Sequence, residues 1–188
     1  YEYLGSNSDH FAQLILGVFL IDSNKDFEEI HSVYKQRCFS VLYQWKRLPG
    51  VHDDGTVDGA YLASWVDGAR QLLRAEGGER DYDGQIGQIL ASSPEGTDGM
   101  WPAEAVRDLI ESLKNPKMES GLVMGRLNRR GFAAAVVPVV YEGDAQETDL
   151  AVRYLAHARE MNTRWPRTAA ILRALAKDCE QEAVRQNI

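Results

Sequence analysis

At 188 residues, 44% hydrophobic and 26% charged, the chain has the length and balance of a single globular domain. A body of that size buries roughly 70% of its unfolded surface and needs no metal or disulfide to hold it. Its formal net charge of −7 argues against duplex binding, which is driven mainly by phosphate neutralisation.

The two cysteines, Cys38 and Cys179, match neither a secreted disulfide framework nor a zinc spacing. Both fall on apolar helical faces, so buried free thiols in a reducing cytoplasm are expected. The longest apolar run, "FAQLILGVFLI" at 11–21, is too short to span a bilayer and lacks the flanks of a signal peptide. It suits a buried helix or a buried strand; periodicity alone does not separate them. The chain opens on Tyr1, as a processed form or a piece of a longer protein does.

From residue 24 on, the periodicity is helical. Phe27, Ile30, Tyr34, Cys38, Val41, Leu42 and Trp45 step by three and four, with Asn24 as a possible cap and "LPG" as the stop. The next element carries Tyr61, Leu62, Trp65, Ala69, Leu72 and Leu73, with Asp58 as N-cap and Gly77-Gly78 as its end. Between them "VHDDGTVDGAY" superficially resembles a calcium loop. The residues at its ligand positions are wrong, and two Asp-Gly turns explain it.

A short helix around Ile86, Ile89 and Leu90 precedes the loop "SSPEGTDG". Trp101-Pro102 then opens a helix striped by Val106, Leu109, Ile110 and Leu113. On it Glu104, Arg107 and Glu111 stand three and four apart, which reads as a solvated, salt-bridged face. Asn115-Pro116 caps the next helix, for which Gly131 is the expected C-terminal glycine. Gly121 and Gly125 on it allow a neighbouring helix to come close. "FAAAVVPVVYEG", with Pro138 in its middle, reads as an extended segment near 132–140.

"DAQE" begins another helix, with Leu150, Tyr154, Ala158, Met161 and Trp165 on one face. A second Trp-Pro pair, Trp165-Pro166, starts the last, which packs through Ile171, Leu172, Leu175 and Cys179. The expected fold is all-α: one compact domain, 1–188, of about eight helices with that single extended segment. Proline at the first helical position pre-sets φ and pushes the preceding residue out of the helix. Each tryptophan is therefore expected to anchor a helix end against a neighbour.

The runs "IGQILASSPEGTDGMWPAEAVRDLIESL", "ESGLVMGRLNRRG", "YEGDAQETDLAVRYLAHA" and "WPRTAAILRALAKDCEQEA" resemble the C-terminal helical region of large uncharacterised bacterial proteins. The resemblance covers about residues 27–185, and its most specific elements are Asp-Gly-x-Trp-Pro and Asn-x-Arg-Gly. Where those proteins have a polar turn after Arg-Gly, this chain has "FAAAVVPVV". The resemblance implies a domain of a larger bacterial protein and brings no activity with it.

No phosphate loop, His-Glu-x-x-His, Gly-x-Ser-x-Gly or Cys-x-x-Cys is present. His31 and Cys38 lie about two helical turns apart, roughly 10 Å along the axis, beyond the reach of a nucleophile and its base. His10, His52 and His157 share no metal-ligand spacing, and neither a metal nor a cofactor is expected.

The candidate binding residues are those of "GRLNRRG": Arg126, Asn128, Arg129 and Arg130. Three guanidinium forks there could hold a phosphate or a partner's carboxylates. They could equally complement the end of their own helix. The leading expectation is a non-catalytic scaffold or docking module, its partner another protein or other domains of its parent. A hydrolase built from scattered carboxylates and a nucleic-acid accessory module using Arg126–Arg130 are the alternatives. A deep cleft lined by carboxylates or histidine favours the enzyme. A basic face with exposed aromatics favours nucleic acid, and an apolar patch favours docking.

Overall fold

The computed structural model describes residues 7–19, 28–77, 80–136 and 143–186. These residues form eight helices: α1 (Ser8–Phe19), α2 (Glu28–Gln44), α3 (Gly59–Glu76), α4 (Asp83–Leu90), α5 (Glu104–Leu113), α6 (Pro116–Val136), α7 (Gly143–Met161) and α8 (Pro166–Gln186). Among the described residues there is no strand. A single antiparallel bridge, Val51 to Val57, closes the turn before α3. The run at 11–21 is thus helical as far as Phe19. No helix among the described residues is long and apolar enough to cross a membrane.

Several helix ends form where local chemistry expects them. Asp58 accepts from the Tyr61 N–H at 2.9 Å, and Gly77 closes α3 by donating to the Leu73 carbonyl. Asn115 Oδ1 accepts from the N–H groups of Lys117 and Met118 at 3.0 and 3.1 Å, satisfying donors that the first turn of α6 leaves open. In the loop before α3, Asp54 takes up Thr56 through both its N–H and its hydroxyl. Those bonds hold the Asp54 carboxyl below its usual range. The Asp-Gly stretch is a pair of turns.

Three expectations change. The helix carrying the arginines does not stop at Gly131, since α6 continues to Val136. Residues 132–136 are therefore helical rather than extended, and the rest of that segment, 137–140, lies outside the described residues. Asn24 and Phe27 also lie outside the described residues.

Pro102 is not the first residue of α5, which starts at Glu104; the Trp101-Pro102 peptide bond is cis. The Ala103 N–H is bonded to the Pro94 carbonyl and to Ser93 Oγ. Pro166, by contrast, does open α8. Both tryptophans are buried anchors. Trp101 Nε1 donates to the Ser93 carbonyl at 2.9 Å and Trp165 Nε1 to Asp108 Oδ1 at 2.6 Å.

The supposed solvated face of α5 is the third correction. Arg107 is fully buried. It forks onto Asp98 at 2.5 and 2.9 Å and donates to the carbonyls of Pro102 and Met100, with the Trp165 ring 4.9 Å from its guanidinium. Glu111 caps the neighbouring α8 by accepting from the N–H groups of Arg167 and Thr168. Glu104 takes the Thr97 hydroxyl at 2.8 Å. Spacing of three and four allowed these residues to pair with one another, but nearby backbone and loops offered better partners.

α7 and α8 form the most extensive helix pair, followed by α4 with α6, while α1 rests on α2 and α3. At the α4–α6 crossing a Cβ on Gly121 would lie 2.0 Å from the Gly84 carbonyl oxygen, and one on Gly87 2.1 Å from that of Met118. Only glycine permits that approach. The same corner is tied by Asp83, which receives both arms of Arg70 at 2.9 and 3.0 Å and the Asn115 amide.

Cys38 and Cys179 are buried free thiols, 3% and 0% exposed. They are expected to react with a thiol reagent at the rate of global or local opening, and quickly only in denaturant. Rapid labelling of both in the folded protein would contradict the packing of α2 and α8.

Candidate functional site

Arg126 and Arg129 of "GRLNRRG" do not converge. Because α6 runs on to Val136, they stand inside the helix rather than at its end, and the helix dipole does not account for them. Arg126 turns toward α7: its Nε donates to the Tyr154 hydroxyl at 2.9 Å and its guanidinium lies 4.5 Å from the Trp101 ring. Arg129 turns the other way. Its Nη2 donates to Ser92 Oγ at 2.6 Å and to the Trp45 carbonyl at 3.4 Å. Asn128 is exposed, and the side chain of Arg130 lies outside the described residues. A three-arginine anion cradle is therefore not formed by Arg126 and Arg129, which point to different neighbours.

Arg129 instead borders a cavity of about 740 Å³. Four helices contribute to its wall, each through positions three and four apart. From α1 come Phe11, Ile15, Val18 and Phe19; from α2, Phe39, Leu42 and Tyr43; from α4, Gln85, Gln88 and Ile89; from α6, Gly125, Asn128 and Arg129. Trp45 and Lys46, just past α2, complete it. Gly125 is in the wall because α6 crosses α4 closely there: a Cβ on it would meet the Ala91 side chain at 2.8 Å.

Aromatic contacts stiffen the floor. Phe11 packs edge-on to Trp45 at 5.6 Å and tilted to Trp65 at 5.1 Å, and the two tryptophans meet edge-on at 5.9 Å. The Trp45 indole donates to the Arg47 carbonyl at 2.6 Å. At the rim the order reverses. Phe39 and Tyr43, one turn apart on α2, stack on each other at 6.1 Å and are 58% and 54% exposed. Val33 and Tyr34, earlier on the same helix, are also exposed. Tyr34 had been expected on the buried face with Cys38; only Cys38 is deep. The hydrogen bond to Cys38 holds the Tyr34 phenol above its usual value.

Charge in the groove is one-sided. Lys46 and Arg129 line it, and no carboxylate or histidine does, in a chain with 28 acidic and 21 basic residues. Burial, with the nearby Arg126 charge second, pulls the Arg129 pKa below its usual value. Among the described residues no carboxylate lies within ion-pair distance of Arg129, and none accepts from its Nε or Nη1. A guanidinium presents five N–H donors, so it can still receive an anion from the groove side.

Several carboxylates among the described residues are already engaged. Glu104, Glu111, Asp83 and Asp98 each serve a loop, a cap or an arginine. His157 is held below the usual imidazole value, chiefly by burial, and its Nδ1 is buried. Among the described residues no three His, Cys, Asp or Glu gather as a metal set. The side chain of His31 lies outside the described residues, while Cys38 packs against Gly17 of α1.

The sequence missed the groove because its wall is assembled from four separate helices. The local signal was an excess: α2 has more apolar positions than one buried face uses. No protein-family profile matches the chain, and neither a curated protein nor a solved structure matches it.

Proposed function

We propose that the chain is a non-catalytic helical module that docks another polypeptide, as a domain of a larger bacterial protein. The observation that carries this reading is the stacked, half-exposed pair Phe39 and Tyr43 at the mouth of the apolar groove. Large aromatics in water beside an apolar cavity are costly to leave uncovered and are the residue types that anchor interfaces. The cavity is walled by four helices and opens beside this exposed pair on α2, which suits a polypeptide that covers both. The resemblance to helical regions of large bacterial proteins supports the setting, and two buried free thiols fit a reducing cytoplasm.

The test is a selection of helical peptides from a displayed library on the wild-type chain alone, with each selected peptide then titrated against the variant Phe39→Asp, Tyr43→Asp. Both positions are exposed, so the variant should melt within a few degrees of the wild type. Selected peptides are expected to bind the wild type at least about tenfold more tightly, since loss of an aromatic anchor typically costs 1–2 kcal/mol or more. Binders indifferent to the double variant would place docking elsewhere and overturn the reading.

A further inference from the structure

We infer that the groove takes an amphipathic helix that carries a carboxylate beside its apolar stripe and sets that carboxylate on Arg129. The inference rests on the docking reading above and adds the chemistry of the partner.

Its first support is the shape of the wall. Each of α1, α2, α4 and α6 presents positions three and four apart to the groove, which is the ridge pattern one helix offers to another. Such a slot is complementary to a further helix reading i, i+3, i+4, i+7. An extended strand, with its period of two, would meet these ridges out of step.

The second support is charge. Arg129 lines the slot with its Nη2 held by Ser92 Oγ and the Trp45 carbonyl, so the fork is fixed in place before a partner arrives. Burial makes the uncompensated cation costly, and a carboxylate entering from the groove relieves that cost through charge-assisted hydrogen bonds. Among the described residues of the wall no carboxylate opposes Arg129. A neutral apolar helix would leave Arg129 more deeply buried and still without a counter-ion.

The test uses two synthetic helical peptides, identical except for Glu or Gln flanking a Leu/Phe stripe, titrated calorimetrically against the wild type, Arg129→Gln and Arg129→Lys. The Glu peptide is expected to bind the wild type about tenfold or more tightly than the Gln peptide. The preference should vanish in Arg129→Gln and survive in part in Arg129→Lys. Equal binding of both peptides to the wild type would overturn the inference, and it would do so even if the Arg129 variants fold poorly. Such peptides would still lose affinity for the Phe39→Asp, Tyr43→Asp chain if the docking reading is correct, so the two failures are distinct. Laurate binding one to one in the groove while neither peptide binds would overturn both, in favour of a small apolar anion.

Discussion

Replacing Arg107 by methionine is expected to destabilise the protein by about 3 kcal/mol, the low end for breaking a buried pair, because Asp98 keeps 31% of its side chain exposed. For a domain of this size that lowers the melting temperature by roughly 10 °C. The reason is the number of groups that depend on one guanidinium. Arg107 is fully buried, grips both oxygens of Asp98 and satisfies the carbonyls of Pro102 and Met100. It also lies against Trp165, so it joins the Asp-Gly loop to both Trp-Pro anchors. Methionine fills the volume but removes the donor from two carbonyls, while Asp98 keeps the Met100 N–H and solvent.

The pH dependence carries a sign. Hydrogen bonds from Arg107 hold the Asp98 carboxyl below its usual value, against the opposing effect of burial. A group whose pKa is depressed by folding contributes stability above its unfolded value, about 4, and loses that contribution as pH falls through the folded one. Asp98→Asn should therefore flatten part of the acid limb below about pH 4 in a pH series of thermal melts. An unchanged acid limb would mean that the Asp98–Arg107 pair contributes nothing to it.

Gly121→Ala is expected to destabilise by about 1–3 kcal/mol or more, the cost of overpacking a close contact. The direction is diagnostic, because Gly→Ala inside a helix ordinarily stabilises by up to about 1 kcal/mol. The new Cβ would sit 2.0 Å from the Gly84 carbonyl oxygen. That neighbour is backbone and cannot rotate away, so α4 and α6 must separate. Gly87→Ala addresses the same crossing through the Met118 carbonyl. The double variant should cost less than the sum of the singles, since the helices separate once for both. Urea melts of the four proteins measure this, and a stabilised Gly121→Ala would contradict the crossing.

Much of the fold was legible because its information is local. A 3.6-residue apolar stripe identifies a helix face wherever the helix lies in space, and α7 and α8 bury Tyr154, Ala158, Met161, Leu172, Leu175 and Cys179 as their periodicity requires. Caps are also local, since a side chain reaches N–H groups two or three residues ahead, as Asp58 and Asn115 do. The small residues Gly121 and Gly125 announced a close neighbour, though not which one.

What tertiary structure decided depends on groups far apart in the chain. Arg107 looked like a surface residue because its partners, the Asp98 carboxylate and the backbone of 100–102, surround it only once the loop folds over α5. Arg126 and Arg129 looked like one cluster because they are adjacent on α6. The packing of α7 on one side and the groove on the other sends them apart. The groove has no sequence signature, since its wall takes a few positions from each of four helices. The residues on their own established a helical body with one apolar stripe on α2. Only packing determined that Phe39 and Tyr43 would be left at the mouth of a slot with Arg129 inside it, because burial is a property of neighbours and not of the residue.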